Sequence, residues 1–514
     1  MGKKWRYFAG AAGVIFIVFL LAGFPPGENE LLLSYSGWSK YLAVTMPANF
    51  AREMPFPVPT AVLSLVTRDI PTNIFWFRFP NLVFSLAWLA IITSLAPAGF
   101  GILAVTCLGI IWTLISDFPA GLSLFLATAV IWVELRYRDE KKKILWLGFL
   151  NLWLSLTGFS GWIFTAVFAG VKLLKKDYRI GLVLLAVVIY AWFAAVRVYW
   201  QQNASGSAFS IDSDLTAQVN QRVQNETKLN RYREPVPLFL KRLVYNKPYF
   251  ALRETGQNIV SVFSLEKLAF PGQGDATVAR NLWGSKSLPW IFFWLIPLIF
   301  YAVYLHKNIS RELKFIITIF GVWGILSVIA GNYGNWVENG IGFFVASLLL
   351  ILWLVTTMRL RGKIIFALLL LVSVVPSYYH FLYHEEVWRD NRPTVHLAMA
   401  QMAVEHKAGY VTTVLGRSFL YYGWINNINP KEFWQGAEAG MKIDGVKFDH
   451  FEKPVNKGVY IGLPGEFLGN RAVDNKNEFR ASELPRGWEL LESAKIRDTV
   501  SFGNGDYVWA VKIN

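Results

Sequence analysis

Long apolar runs separated by short polar stretches organise most of this chain. A hydrocarbon core about 30 Å thick is crossed by about 20 consecutive apolar residues in a helix. The runs that approach this length cover residues 7–24, 81–97, 100–116, 119–136, 180–198, 287–305, 313–330, 340–358 and 364–380. Each of these runs is predicted to be a transmembrane helix.

A further apolar stretch, residues 145–173, is too long for one spanning helix. It is interrupted at residues 157–161 by Thr, Gly, Phe, Ser and Gly. We interpret it as two short helices that meet in a tight external turn, because a single helix would move the basic segment 307–314 to the opposite side of the membrane. The pattern therefore predicts an α-helical polytopic membrane protein with about 11 transmembrane helices.

Lysine and arginine in the short loops occur on only one side of these runs. Basic clusters lie at residues 3–6, 136–143, 172–179, 307–314 and 359–363. The gaps between alternate runs, such as residues 117–118 and 331–339, contain neither residue type. Short basic loops stay in the cytoplasm. We therefore expect a multi-pass protein of the cell membrane with a cytoplasmic N-terminus. Its outer segments are then 25–80, 199–286 and 381–514.

Composition agrees with a membrane protein. Charged residues make up 17% of the chain and hydrophobic residues 54%, whereas a typical soluble protein has about 25% charged residues. The net charge of +15 suits attraction to anionic membrane lipid, and no motif beside it indicates nucleic acid. Because Cys107 is the one cysteine, we expect neither an intrachain disulfide nor a cysteine metal cluster.

The last part of the chain has a different pattern. Runs of β-branched and aromatic residues predict strands at residues 410–415, 458–463 and 507–513. Residues 393–407 have helical spacing. We therefore expect a transmembrane domain at 1–380 and a small extracytoplasmic α/β domain at 381–514, which is long enough to hold its own core.

Few ionisable side chains are placed where they could support chemistry inside the membrane. Asp117 lies at an outer turn and Arg197 at an outer helix end, so an ion-coupled transporter, which carries such residues near mid-membrane, is a weak alternative. His396 and His406 are expected at the surface of the tail helix. We expect no metal there, because no pair of acidic ligands stands at a suitable spacing.

An acidic cluster, Glu28-Asn29-Glu30, follows the first apolar run. A carboxylate at the membrane boundary is partly desolvated and can act as a general base; the alternative is that both glutamates are simply solvated. Arg78 precedes the second run, beside Pro80. Its guanidinium could bind a phosphate or anchor the helix at the lipid headgroups.

These motifs, in this order, resemble those of the GT-C superfamily of integral membrane glycosyltransferases, in particular the protein O-mannosyltransferase and aminoarabinose-transferase branch. Asn29-Glu30 is similar to the acidic pair that follows the first helix in that family. Arg78-Phe79-Pro80-Asn81 is similar to the motif at the start of its second helix. The resemblance extends over nearly the whole chain, although each motif is short.

The resemblance implies an inverting transferase that moves a sugar from a polyprenyl-phosphate-linked donor to a glycan, lipid or protein acceptor at the outer face. It implies that Glu30 is the catalytic base, with Glu28 as a substitute and Asp117 as a helper across the cavity. Arg78 would bind the donor phosphate. No cofactor is predicted, and a divalent cation, although the chemistry could use one, finds no support in the sequence.

The chain also departs from the family. Asn29 stands where the family has aspartate, and an amide cannot act as a base. Residues 115–119 and 332–339 lack the His and Arg residues that relatives often carry there. An alternative therefore stays open, a non-catalytic membrane protein on the same scaffold that binds a lipid-linked glycan or acts in a cell-envelope complex. A transporter or a polysaccharide polymerase is a further alternative.

Overall fold

The structure, a computed structural model, describes residues 2–21, 31, 73–97, 99–106, 118–201, 309–330, 336–383, 391–413, 418–438, 440–449, 456–463, 466–467, 484–485, 487–495 and 507–513. Up to residue 383 its helices are α1 (Gly2–Leu21), α2 (Ile74–Leu95), α3 (Phe100–Val105), α4 (Phe118–Arg136), α5 (Glu140–Ser155), α6 (Phe159–Leu174), α7 (Tyr178–Gln201), α8 (Arg311–Ala330), α9 (Trp336–Thr357) and α10 (Leu360–Tyr383). The elements that follow are α11 (Asn391–Glu405), β1 (Tyr410–Val411), α12 (Ser418–Ile425), α13 (Pro430–Glu438), β2 (Lys442–Ile443), β3 (Val446–Phe448), β4 (Gly458–Gly462), β5 (Trp488–Lys495) and β6 (Tyr507–Ile513).

The expectation of about 11 transmembrane helices is wrong. Within the described residues, one helical segment, Arg78–Leu95 of α2, is long and apolar enough to cross a bilayer. Shorter apolar helical segments lie at Trp5–Leu20, Ser160–Leu174, Tyr178–Phe193 and Ile341–Thr357. The predicted run 287–305 lies outside the described residues. Of the described helices that lie in apolar runs, α5 and α6 are short. For example, α5 has 16 residues and begins with one Glu and three Lys, and it is only about 24 Å long at 1.5 Å per residue.

The predicted break at residues 157–161 is confirmed, because α5 and α6 are separate helices joined by a short turn. Gly161 is required at this turn, since a Cβ there would lie 2.0 Å from the Leu154 carbonyl oxygen. The buried hydroxyl groups of Ser155 and Thr165 are hydrogen-bonded at 2.8 Å. Small residues and paired hydroxyls therefore allow the two helices to pack closely.

Helices α8 and α9 approach each other through glycines. A Cβ at Gly324 would lie 2.1 Å from the backbone nitrogen of Phe343, and a Cβ at Gly342 would lie 2.5 Å from Cε3 of Trp323. The Trp323 ring is fully buried, and its indole N–H donates to the carbonyl oxygen of Ser160 at 2.8 Å. This hydrogen bond ties the closely packed pair to α6.

The C-terminal strands form a mixed sheet in the order β2-β3-β1-β4-β6-β5. β1 is parallel to β3 and β4, and the other neighbours are antiparallel. Asp444 and Gly445 join β2 to β3 with φ values of 48° and 82°, as a two-residue type I′ turn requires. Strands occur at the three predicted segments, as β1, β4 and β6, and a helix occurs at the predicted helical segment, as α11.

Alternate side chains of this sheet enter two hydrophobic cores, as the pleat of a strand requires. Val411, Ile461 and Ala510 lie in the core that the sheet shares with α11, α12 and α13, here called the helix-side core. Tyr460 and Trp509, each adjacent in sequence to one of these residues, lie in a smaller cluster on the other face.

The surface position expected for His396 is wrong. Its side chain is 1% exposed, and its ring stacks against that of Tyr421 with centroids 6.0 Å apart. Helical spacing identifies which residues share a face, but the packing of α12 against α11 decides which face is covered. His406, beyond the end of α11, is partly exposed and contacts Glu492.

Tyr422 provides a pH test of the helix-side core. Burial, together with the charge of Asp444 and a hydrogen bond with Asp444, raises the pKa of Tyr422 to about 12. An unfolded tyrosine titrates near pH 10. Between about pH 10 and pH 12 the unfolded state therefore loses a proton that the folded state keeps, so stability present below pH 10 is lost as the pH rises. Tyr422→Phe should make the fall in stability shallower.

The measurement is the thermal unfolding midpoint of the whole protein at a series of pH values up to about 11.5. Tyr190→Phe is the control, because the Tyr190 side chain is exposed on α7. Equal slopes for the two variants would contradict the assigned role of Tyr422.

Candidate functional site

The C-terminal end of α1 lies against the N-terminal end of α2. The rings of Phe19 and Phe75 pack edge to face with centroids 5.0 Å apart. Phe75 also contacts Phe79, so aromatic rings surround the start of α2. The acidic cluster follows α1 in the sequence, and Arg78 follows Phe75 by about one helical turn. The helix ends that flank the two motifs therefore meet.

Arg78 lies in the second turn of α2 on a buried polar face. The helix begins after Asn73, whose side chain accepts a hydrogen bond from the backbone N–H of Phe75 at 2.9 Å. Arg78, Asn81 and Ser85 are 2%, 5% and 0% exposed, and their spacing puts them on one side of the helix. The Ser85 hydroxyl donates to the Asn81 carbonyl oxygen at 2.7 Å. A cationic side chain at the positive end of a helix dipole favours a negatively charged ligand.

The burial of Arg78 separates the two roles considered for it. An interfacial anchor extends its guanidinium to the headgroups, whereas the protein itself covers Arg78. The geometry therefore fits the anchor poorly. A phosphate would reach the guanidinium only after the atoms that cover it move, so the donor-binding role stays a prediction.

The other predicted site residues, Glu28, Glu30 and Asp117, lie outside the described residues. Their proximity to Arg78 and their catalytic roles stay predictions. Leu31, the residue after Glu30, is described: its side chain is fully buried and belongs to the helix-side core of the C-terminal sheet. Sequence reasoning missed this contact, because a run of three leucines, residues 31–33, does not show which distant part of the chain it packs against.

An ionic network at the ends of α4, α5 and α6 was also missed. The ammonium of buried Lys172 lies 2.6 Å from Glu134 Oε1 and 3.1 Å from Asp177 Oδ2. Lys143 lies 3.0 Å from the other carboxylate oxygen of Glu134. Two cations and two anions compensate one another here, which offsets the cost of burying Lys172. In the sequence, this network is indicated by the acidic residues near the basic clusters, Glu134 and Asp177. Because the charges are paired with one another, the network has a structural role.

A buried carboxylate lies at the edge of the sheet where the parallel strands end. Glu466 is 8% exposed and accepts hydrogen bonds from the Thr412 hydroxyl at 2.5 Å and from the Leu463 backbone N–H at 2.8 Å. Thr412 follows β1, and Leu463 follows β4. Ligands of α/β sheets often bind at this edge. Both carboxylate oxygens of Glu466 accept hydrogen bonds within the protein. Glu466 therefore has a structural role, because it connects the segment after β1 to the segment after β4.

Glu405, His406 and Glu492 form a cluster that could hold a cation. Their ligand atoms all lie within 4.8 Å of one another, and zinc accepts nitrogen and oxygen ligands of these types. His406 Nε2 lies 2.7 Å from Glu492 Oε2. This contact is a salt bridge whenever the imidazole is protonated, and it accounts for the arrangement without a metal. We therefore assign no ion to the cluster.

Comparison of the chain with protein-family models, with curated proteins and with solved structures finds no match. The resemblance to GT-C glycosyltransferases therefore rests on the sequence motifs and their order.

Proposed function

We propose that this chain is a membrane glycosyltransferase of the GT-C type. It transfers a sugar from a polyprenyl-phosphate-linked donor to a glycan, lipid or protein acceptor at the outer face of the membrane. The observation that carries the proposal is the Phe19–Phe75 contact at 5.0 Å. This contact joins the helix end that precedes the acidic cluster to the helix start that bears Arg78, as a shared site for base and phosphate needs.

In the proposed reaction Glu30 takes the proton from the acceptor hydroxyl group. The acceptor oxygen forms a bond to the anomeric carbon of the sugar while the bond from that carbon to the phosphate oxygen breaks. Polyprenyl phosphate leaves with the electron pair, so negative charge grows on the phosphate. A guanidinium such as that of Arg78 stabilises this charge through paired hydrogen bonds. One displacement inverts the anomeric configuration.

Exposed apolar side chains support a membrane location. Leu182, Ile189 and Phe193 on α7 are exposed. A similar group lies on α10 and comprises Ile364, Ile365, Leu368, Leu369, Leu371, Val372 and Val375. Soluble proteins rarely expose contiguous apolar patches of more than a few hundred Å². Lipid chains would cover such surfaces, and the polyprenyl chain of the donor would share that environment.

Arg78→Lys tests the donor site. Lysine keeps the positive charge but loses the planar pair of N–H donors that binds a phosphate at two points. We expect the affinity for a polyprenyl-phosphate sugar to fall by about 10-fold or more, with expression unchanged. The measurement is donor binding to the purified protein in detergent.

The control for this experiment is Arg179→Lys, because Arg179 is an exposed arginine at the start of α7. It should bind the donor as the unmodified protein does. Unchanged donor binding by Arg78→Lys would remove Arg78 from the proposed site.

One sequence observation favours a second candidate function. Asn29 replaces the aspartate of the related motif, which suits a non-catalytic protein that binds a lipid-linked glycan. Such a protein would bind the donor but transfer no sugar. Donor binding measured together with transfer therefore distinguishes the two functions.

A further inference from the structure

We infer that one end of the helical region is a docking surface for the anionic headgroups of membrane phospholipids. This surface, here called the basic end, consists of residues 134–143, 172–179, 311–314 and 359–363. It has no part in the reaction proposed above. The inference therefore goes beyond the proposed function and assigns a ligand to clusters that have so far served only to orient the chain.

Contacts among charged side chains bring four helix ends together at the basic end. The carboxylate of Glu134, near the end of α4, lies 3.0 Å from the ammonium of Lys143 in the first turn of α5 and 2.6 Å from that of Lys172 near the end of α6. Asp177, the residue before α7, lies 3.1 Å from the same Lys172 ammonium. The end of α4, the start of α5, the end of α6 and the start of α7 therefore lie at one surface.

The start of α8 reaches this surface through Lys175, which follows α6. Its ammonium lies 4.4 Å from the ring centroid of Phe315 in α8, within the range of a cation–π contact. Arg311 precedes Phe315 by one helical turn, on the same side of the helix, and Lys314 adjoins Phe315 in the sequence. Lys175, Arg311 and Lys314 are all exposed. Three accessible cations therefore lie where α6 and α8 meet.

The connection from α9 to α10 adds a fourth basic segment. α8 and α9 are antiparallel, because Gly321 and Gly324 of α8 approach Ala346 and Phe343 of α9, respectively. The end of α9 therefore lies beside the start of α8. Residues 359–363, which follow the end of α9, contain two arginines and one lysine and no acidic residue.

The basic end carries a large excess of positive charge. Its four segments contain fourteen Lys and Arg residues and five Asp and Glu residues, so their net charge is +9. Glu134 and Asp177 contact Lys143 and Lys172, which are not exposed. These two acids are therefore committed to the internal network, and the charge at the surface favours an anionic partner.

Exposed apolar side chains lie among these cations and indicate a lipid surface. Leu174 precedes Lys175 and is 85% exposed, and Leu360 lies between two arginines and is 73% exposed. At a membrane interface, apolar side chains enter the boundary between headgroups and acyl chains while Lys and Arg extend to the phosphates. A soluble polyanion such as a nucleic acid would contact the cations but leave these leucines in water. Anionic phospholipid headgroups suit both features.

Binding of fluorescent phospholipids to the purified protein in detergent tests the docking surface. At about 0.1 M salt the affinity for phosphatidylglycerol should exceed that for phosphatidylcholine by about 10-fold or more. The difference should shrink at about 1 M salt, because the screening length falls from about 10 Å to about 3 Å.

Removing the three cations where α6 and α8 meet should lower the affinity for phosphatidylglycerol by about 10-fold or more and leave that for phosphatidylcholine unchanged. Each Lys or Arg near an anionic membrane surface contributes about 5-fold in affinity. The variant combines Lys175→Gln, Arg311→Gln and Lys314→Gln. If it does not fold, as judged by its thermal unfolding midpoint, the three single variants replace it, each with an expected loss of about 5-fold.

The matched control removes the same charge from exposed lysines of the C-terminal region. It combines Lys431→Gln, Lys442→Gln and Lys457→Gln and should bind phosphatidylglycerol as the unmodified protein does. Equal losses in the two triple variants would show an effect of total charge and would overturn the assignment to the basic end.

Further outcomes distinguish the lipid from other anions. Inorganic phosphate in large molar excess should leave phosphatidylglycerol bound; complete displacement would indicate a site for soluble phosphate and overturn the lipid assignment. A labelled single-stranded oligonucleotide that binds more tightly than phosphatidylglycerol, and loses affinity in the Lys175, Arg311 and Lys314 variant, would overturn it in favour of nucleic acid. None of these measurements needs sugar transfer, so failure of the docking surface and failure of the proposed function are distinguishable.

Discussion

Glu30→Gln should lower sugar transfer by about 10²-fold or more, the usual scale of general-base catalysis. Glutamine has nearly the same size and shape as glutamate but cannot accept the proton of the acceptor hydroxyl group. Donor binding should be unchanged, because the donor phosphate is assigned to Arg78. The measurement is the initial rate of transfer with saturating donor, together with the donor affinity of the same preparation.

Substitutions at the other two predicted carboxylates show which of the three acts as the base. Glu28→Gln and Asp117→Asn should each lower transfer less than Glu30→Gln, since we assign them substitute and helper roles. A larger loss in Glu28→Gln would move the base to Glu28. Full activity in all three variants would exclude base catalysis by this set of carboxylates.

Gly324→Ala should lower the free energy of unfolding by about 2–3 kcal/mol, at the upper end of the range for overpacking. A Cβ at this position would lie 2.1 Å from the backbone nitrogen of Phe343 and 2.6 Å from its Cβ. Backbone atoms cannot move aside as the end of a flexible side chain can, so α8 and α9 must separate. The thermal unfolding midpoint in detergent, followed by tryptophan fluorescence, should fall.

Gly170→Ala is the matched control. Gly170 also lies within a helix, α6, but a Cβ there would meet no atom within 4 Å. Alanine favours a helix over glycine by about 1 kcal/mol, so the midpoint should stay the same or rise. Equal destabilisation of both variants would contradict the close contact of α8 and α9.

Local patterns predicted the secondary structure well. Apolar runs of helical length led to α4, α7, α8 and α9, and the Thr-Gly-Phe-Ser-Gly break led to the α5–α6 turn. β-branched and aromatic runs led to β1, β4 and β6. These features depend on residues close in sequence, so a single sequence contains the necessary information.

The errors concern properties that depend on distant residues or on length thresholds. The expected number of membrane spans included the stretch 145–173, whose two helices, α5 and α6, have only 16 residues each. His396 was expected at the surface because the packing of α12 on α11 is not visible in the spacing of α11. The Lys172–Glu134 ion pair and the burial of Leu31 likewise join segments far apart in the sequence.

Sugar transfer by the purified protein in liposomes tests the central proposal most directly. The protein would be supplied with a panel of radiolabelled polyprenyl-phosphate sugars, and label would be followed into glycan, lipid and protein acceptors. We predict transfer from at least one donor, with a rate about 10²-fold lower in Glu30→Gln. No transfer from any donor by the unmodified protein, together with transfer by Asn29→Asp, would contradict the enzyme assignment and favour the non-catalytic, glycan-binding protein.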